Sequence, residues 1–334
     1  MIFSPLPRRR FCAAALGAAL LPRPPFALAA PGGRHAQLTL AGPSAVVSYP
    51  LMHMAASGAL AEHADQLRFR LWQTPDQLRT LLVNQDVDFS AAPCTLPALL
   101  HNRGLPVRLL NISVWGILWL VSREPAVKTF AGLAGRELVV PFQRDLPAAL
   151  LDTLLETQAK SGLAPIALRR TRDAQDAIAL VLNGQAQHVL LVEPMVSLLL
   201  WRAAQAGGPP LYRGQSLKQA WRDRFPAQPT LPQAGVMAAT GVAADARLCH
   251  AVNQAYASSA RWCADHPAQC AALVQEHLPH LPAAAIEAAI RGTRLESRSA
   301  QDARPELEAL YRLLASRFPQ AIGGNLPPVG FYGP

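Results

Sequence analysis

Lysine is nearly absent from this chain. It occurs only at positions 128, 160 and 218, while lysine and arginine together number 31, so arginine carries almost all the cationic charge. Charged residues of both signs make up only 16% against 51% hydrophobic, which excludes a highly charged disordered polymer. No basic run has aromatics interleaved with it, which removes the usual signature of a nucleic-acid surface. No CxxC or HxxxH pair offers zinc-site spacing. His, Cys and Ser do not recur at a spacing used in nucleophilic catalysis, so nothing marks an enzyme and no cofactor or metal is expected. The arginine excess suits bidentate recognition of carboxylates, sulfonates and phosphates. It equally fits a GC-rich genome, because alanine, proline and leucine are inflated with it.

At 334 residues the chain is long enough for two domains with cores of their own. Its first thirty residues read as an export signal. Arg8-Arg9-Arg10 precedes an apolar run over residues 11–21, and Ala27-Leu28-Ala29 supplies small residues for cleavage. Arg8-Arg9, one spacer and Phe11 fit a twin-arginine signal, and an ordinary secretory signal also carries such pairs. Cys12 lies inside the apolar run, not after a cleavage site, which argues against a lipid anchor. Removal of residues 1–29 deletes the arginines at 8, 9, 10 and 23, leaving 27 − 22 = +5 from a formal +9. Beyond this segment no apolar run reaches the roughly eighteen residues of a membrane span. The expectation is a soluble periplasmic protein. Four cysteines then remain, at 94, 249, 263 and 270. Cys263 and Cys270 flank Asp265-His266-Pro267, a break between helices, and are a disulfide candidate in an oxidising compartment; free buried thiols stay equally open.

The chain contains one pattern twice. Residues 80–100, TLLVNQDVDFSAAPCTLPALL, and 180–200, LVLNGQAQHVLLVEPMVSLLL, each run from an apolar helical tail ending in Asn (Asn84, Asn183) through a polar turn into a short apolar run. Each then reaches a Pro (Pro93, Pro194) and a new apolar helix. Asn stops a helix by taking the left-handed conformation, and Pro suits a first turn. Helix, buried strand, loop, helix, repeated about a hundred residues apart, predicts two similar α/β domains with a ligand cleft at the carboxyl ends of their strands.

The remaining pattern fills in around these units. Strands are expected over 37–40, 67–72, 107–112, 115–121, 138–140, 167–170 and 235–239, and helices over 49–62, 146–160 and 173–182. Thr74 and Asp145 are placed to cap helices, with Gln77 at the capping-box position. Strands alternating with helices predict largely parallel sheets. From 244 to 318 the chain reads as mostly helical, with breaks at Pro267, Pro279 and Pro282.

This order of features resembles one family. The carrying residues are the connector Phe130-Ala131-Gly132-Leu133-Ala134-Gly135-Arg136, the strand over 137–141, and the ending Asn183-Gly184 … Val192-Glu193-Pro194, together with the export signal and helical C-terminal part. The chain is similar to the periplasmic substrate-binding proteins of ABC importers, in the branch handling nitrate, sulfonates, taurine and thiamine-pyrimidine precursors. Its connector departs from the usual DLxGKxV by having Ala131 in place of the acid, and Phe142-Gln143-Arg144-Asp145 replaces a Gly-Ser-rich turn. The resemblance implies an α/β periplasmic binding protein of type II: two lobes, each a mostly parallel sheet flanked by helices. Lobe 1 would hold residues 30–120 and 234–334, and lobe 2 residues 121–233. It implies a monomer that captures a small anionic or heterocyclic solute and delivers it to an inner-membrane ABC permease. An enzyme of pyrimidine synthesis on the same fold and a ligand-binding sensor subunit are the competing readings; the Cys-rich motif of that enzyme group is missing.

The candidate ligand residues follow from the cleft. Ser44 and Tyr49 lie in the first strand-to-helix loop. Ser90, Cys94 and Thr95 lie in the first repeat's loop, where Pro93 leaves the N–H groups after it free. Trp115 stands at a crossover and offers either a stacking platform or core packing. Arg144 offers a clamp for an anion or a partner for Asp145. Glu193 is an acid among apolar neighbours and needs a partner, which would be a cationic or amide ligand group, an arginine of the other lobe or a helix N-terminus. Met195 lines the cleft or packs. Met52-His53-Met54 with His63 suggests copper, but neighbours on a helix point in different directions, so core packing is the better expectation.

Overall fold

A computed structural model describes residues 34–143 and 145–334. The export-signal reading of residues 1–29 and the role given to Arg144 fall outside the described residues. The first half of the fold is laid down as β1 (His35–Gly42), α1 (Tyr49–Ser57), β2 (Ala64–Leu71), α2 (Pro75–Val83), β3 (Phe89–Pro93), α3 (Thr95–Asn102), β4 (Arg108–Leu109) and β5 (Asn111–Val114). The middle follows as β6 (Leu118–Ser122), β7 (Glu137–Val140), α4 (Leu146–Ala159), β8 (Ala167–Arg170), α5 (Ala174–Leu182), β9 (His188–Val192), α6 (Met195–Gln205), β10 (Tyr212–Ser216) and α7 (Leu217–Arg224). The chain ends with β11 (Ala234–Ala238), α8 (Ala246–Asp265), α9 (Pro267–His277), α10 (Ala283–Gly292), β12 (Leu295–Ser299) and α11 (Arg304–Arg317).

The strands form two sheets, β12-β5-β11-β3-β1-β2 with β4 also on β11, and β10-β6-β9-β7-β8. The alternation of strands and helices predicts parallel pairing, and it is found where helices intervene: β2-β1-β3 and β8-β7-β9 are parallel. The strands that bring the chain across from the other sheet run the opposite way. β6 is the first strand after one crossing and lies antiparallel on β9; β11 is the first after the return and lies antiparallel on β3. Both sheets are therefore mixed, and each takes its fourth strand from the far side of a crossing. Gly235 makes one insertion possible, because a Cβ there would stand 1.8 Å from the Asn111 carbonyl oxygen. The Asn111 side chain secures the place by accepting from the Val236 N–H at 3.0 Å.

The repeat appears as α2-β3-α3 in one sheet and α5-β9-α6 in the other. Its strands are buried through most of their length, which is why they read as short apolar runs. The helix stops differ from the expectation. Asn84 and Asn183 keep negative φ, and the left-handed residue is the next one, Gln85 (φ 59) and Gly184 (φ 73). Thr74 and Asp145 cap as expected, accepting from the N–H of Gln77 and Ala148. α1 stops at Ser57 because Gly58 turns left-handed (φ 68). β10 and β12 are the two strands that the sequence pattern does not announce. Both have charged or polar residues at intermediate exposure, so neither shows a clean period-2 alternation. Among the described residues no helix is long and apolar enough to cross a membrane.

Candidate functional site

The two crossings and the ends of two strands are laced together at one place. Val114 ends β5 and accepts from the Gln233 N–H at 2.9 Å. Gln233 stands just before β11, and its own carbonyl accepts from the Cys94 N–H at 2.9 Å. The N–H of Glu193, at the carboxyl end of β9, donates to Ile117 in the first crossing at 3.1 Å. Strand ends that carry the candidate loops in both sheets thus meet at this junction.

Glu193 is fully buried and its charge is met from three directions. The Ser197 N–H, in the first turn of α6, donates to Oε2 at 3.0 Å, and the Ser197 hydroxyl donates to Oε1 at 3.1 Å. Arg213 Nη1 on β10 pairs with Oε1 at 2.6 Å. Arg213 Nη2 donates to the Ser197 hydroxyl at 3.2 Å, and the guanidinium lies over the Trp119 ring, 5.0 Å from its centroid. The helix N-terminus is one of the partners expected for this acid; the arginine expected from the other lobe is not the one found. Arg213 comes from a strand of the same sheet, and it is the functional residue that sequence reasoning missed. Its only signal was a lone charge in a segment with no readable period.

Among the described residues several buried polar atoms have no hydrogen-bond partner, including Ser44 Oγ, Tyr49 Oη, Trp119 Nε1, Gln233 Oε1 and Thr293 Oγ1; of these, Trp119 lies under Arg213, and Thr293 follows Gly292, which adjoins the Arg213–Glu193 pair. Tyr49 and Thr293, from α1 and the α10–β12 connection, line one cavity of about 10 Å³ with Val46, Cys263 and Leu295. Burial pushes the Tyr49 phenol well above its ordinary value, and the nearby Glu193 carboxylate pushes the same way, so Tyr49 stays protonated and able to donate. Trp119 adds a donor with no acceptor capacity. Buried polar groups are normally paired, so the two unpaired hydroxyls facing one cavity mark a place that can take a partner.

The remaining candidates divide clearly. Ser90 is engaged in the core, accepting from Trp72 Nε1 and donating to the Ala91 carbonyl, both at 3.0 Å. The Cys94 N–H, expected to point into the cleft, is bonded to Gln233, and its thiol donates to the Pro232 carbonyl at 3.3 Å. Burial pushes that thiol up to about 12, so it is no nucleophile. These two residues hold the junction together; their donors are already used. Thr95 opens α3, where the first N–H groups have no partner within the helix. Trp115 packs in the core, donating to the Glu296 carbonyl at 2.8 Å beneath the Arg298 guanidinium, so it ties β12 in place rather than offering a stacking face. Met195 is half-buried at the start of α6, with Gln175 at 3.8 Å from its sulfur. Cys263 and Cys270 are free thiols in hydrogen-bond contact with each other, not a disulfide. Met52 and Met54 are wholly buried and His53 bonds Ser259, which fits packing and not copper.

Several solved structures share this fold. An ABC transporter protein from Parabacteroides distasonis superposes with a TM-score of 0.73 at 20% identity, covering 90% of this chain and 99% of that one. The periplasmic aliphatic sulphonate binding protein SsuA from Escherichia coli gives 0.62 at 15% identity, covering 88% and 92%. The periplasmic nitrate-binding protein NrtA from Synechocystis PCC 6803 gives 0.60 at 13% identity, covering 86% and 84%. The fold is that of a periplasmic binding protein. No protein-family model matches the chain, and no curated protein sequence does. At these identities the likeness shows the fold alone, and this chain's own side chains must supply the chemistry.

Proposed function

We propose that this protein is the extracytoplasmic solute-binding component of an ABC importer, exported to the periplasm and working as a monomer with an inner-membrane permease. The two sheets are its lobes, joined by the crossings at residues 115–117 and 225–233. A small solute binds at the junction between them, and hinge closure buries it. One observation supports this reading: the unpaired Tyr49 and Thr293 hydroxyls share one small cavity, and the unpaired Trp119 indole lies under the Arg213 that adjoins Gly292, the neighbour of Thr293. The indole N–H asks for an acceptor and the hydroxyls can donate to one, which suits an anionic or heterocyclic solute. Thr95 and Met195 are the further residues assigned to it. No catalytic role is assigned, since Cys94 is protonated and its hydrogen bonds are internal.

The test is mass spectrometry of small molecules released by denaturing the purified protein, followed by thermal melts with alkanesulfonates, nitrate and aminopyrimidines. A single class of compound should be released and should raise the melting temperature in proportion to its concentration. A protein that releases nothing and melts unchanged across the panel contradicts the reading.

A further inference from the structure

Glu193 and Arg213 sit where elements of the two sheets touch. α6 packs on β9 and α5 in one sheet's layer, while α10 packs on α9 and α8, and α8 on β12, in the other; α6 and α10 meet directly. Gly292, the last residue of α10, lies against the pair. A Cβ at Gly292 would stand 3.2 Å from Arg213 Nη1 and 3.5 Å from Glu193 Oε1. The pair therefore packs closely against this end of α10, where a large side chain at position 292 would crowd it.

The charges alternate along this contact. The C-terminal end of α10 carries the negative end of its helix dipole, and a cation beside it is favourable. Arg213 is that cation. Glu193 follows at 2.6 Å, and the N-terminal turn of α6, with its positive dipole end, donates Ser197 N–H to it. The sequence is α10 carboxyl end, Arg213, Glu193, α6 amino end, each step attractive. Glu193 is wholly buried, so solvent screens its interactions little. The exposed Arg317–Glu156 pair also joins α11 to α4 across the two layers, but its carboxylate is 55% exposed and such pairs contribute little.

We propose that Arg213 and Glu193 form a clasp that holds the lobes together, with Gly292 as its seat. They act on solute affinity through closure and not through contact with the solute. The effect on affinity rests on the solute-binding reading above; the clasp itself does not.

The test reads distance first. Spin labels are placed at Val83→Cys and Leu163→Cys, exposed positions in the two layers, in a Cys12→Ser background where the remaining cysteines are buried. The wild-type clasp should give one narrow distance distribution without any solute. Gly292→Leu, and separately Glu193→Gln with Arg213→Met, should move part of the population to longer distances. The double variant removes both charges together, so no buried charge is stranded, and Gly292→Leu wedges against the pair while leaving both charges in the chain. Unchanged distributions in the folded variants overturn the clasp. Melts with the sulfonate, nitrate and aminopyrimidine panel then separate the two claims. For a compound that binds wild type, both variants should weaken binding about five- to a hundredfold, the usual size of a coupling between distant elements. Lengthened distances with no compound binding wild type uphold the clasp and remove the solute reading.

Discussion

Tyr49 and Thr293 turn two buried hydroxyls into one small cavity, and neither hydroxyl has a partner. A cavity of this size holds about one water molecule or the tip of a solute group. An unpaired buried hydroxyl costs about 1–3 kcal/mol. Tyr49→Phe and Thr293→Val should therefore raise the melting temperature of the solute-free protein. The same variants should weaken binding of the released solute several-fold, about 1 kcal/mol for a lost neutral hydrogen bond. Opposite movements of the two readings identify a binding group; parallel movements identify a structural one.

Glu193 makes the contrasting prediction. Arg213→Met strands a buried carboxylate and should cost about 3–5 kcal/mol of unfolding free energy. Adding Glu193→Gln should recover most of that loss, because the isosteric amide keeps the Ser197 contacts without the charge. Denaturant unfolding of the two single variants and the double gives the coupling directly.

Gln85 is the one residue other than glycine with positive φ among those described, and its counterpart in the second repeat is Gly184. The left-handed conformation costs an ordinary residue about 1–2 kcal/mol, part of which glycine returns in unfolded-state entropy. Gln85→Gly should raise stability by about 0.5 kcal/mol in chemical denaturation, and Gly184→Gln should lower it by a similar amount.

Burial holds His53, His188 and His277 below the ordinary histidine value; His266 adds to this for His53, while Glu124 partly opposes it for His188. Each is a group whose folded value lies below its unfolded one. Between the two values the unfolded chain binds more protons, so stability is full above about pH 6.5 and is lost as pH falls through the lower folded values. Melting temperature should drop from pH 7 to pH 5.5, and His53→Gln should flatten that slope.

The contact between Cys263 and Cys270 joins the end of α8 to the first turn of α9. Mild oxidation should remove two of the four thiols at 94, 249, 263 and 270, counted after denaturation without reductant. Closing so short a loop should add about 2 kcal/mol. A count that stays at four shows that the pair is held apart.

What was legible in the sequence was local and periodic. Asp145, Thr74 and the run over 167–170 announce their elements because capping and alternation act over a few residues. The repeat around Asn84 and Asn183 gave the matched units, since a strand buried on both faces must be apolar throughout. β10 and β12 were illegible because their residues answer to distant partners: Arg213 to Glu193, and Arg298 to Trp115 and Glu306. The site failed in the same way. Cys94 looks free beside Pro93 until Gln233, far along the chain, takes its N–H. Thr293 carries no mark of function until α10 delivers it next to Tyr49.

The interleaved fourth strands impose an order of assembly. Every strand of the β10-β6-β9-β7-β8 sheet lies between residues 118 and 216, so that sheet can form as soon as this stretch is complete. The other sheet has a gap between β3 and β5 that only residues 234–238 fill. While the chain emerges, β3 therefore presents an open edge for more than a hundred residues of synthesis, the kind of edge that recruits other chains. The N-terminal third is thus the part most in need of protection before folding, although β3 itself is buried from Phe89 to Ala92 in the finished molecule.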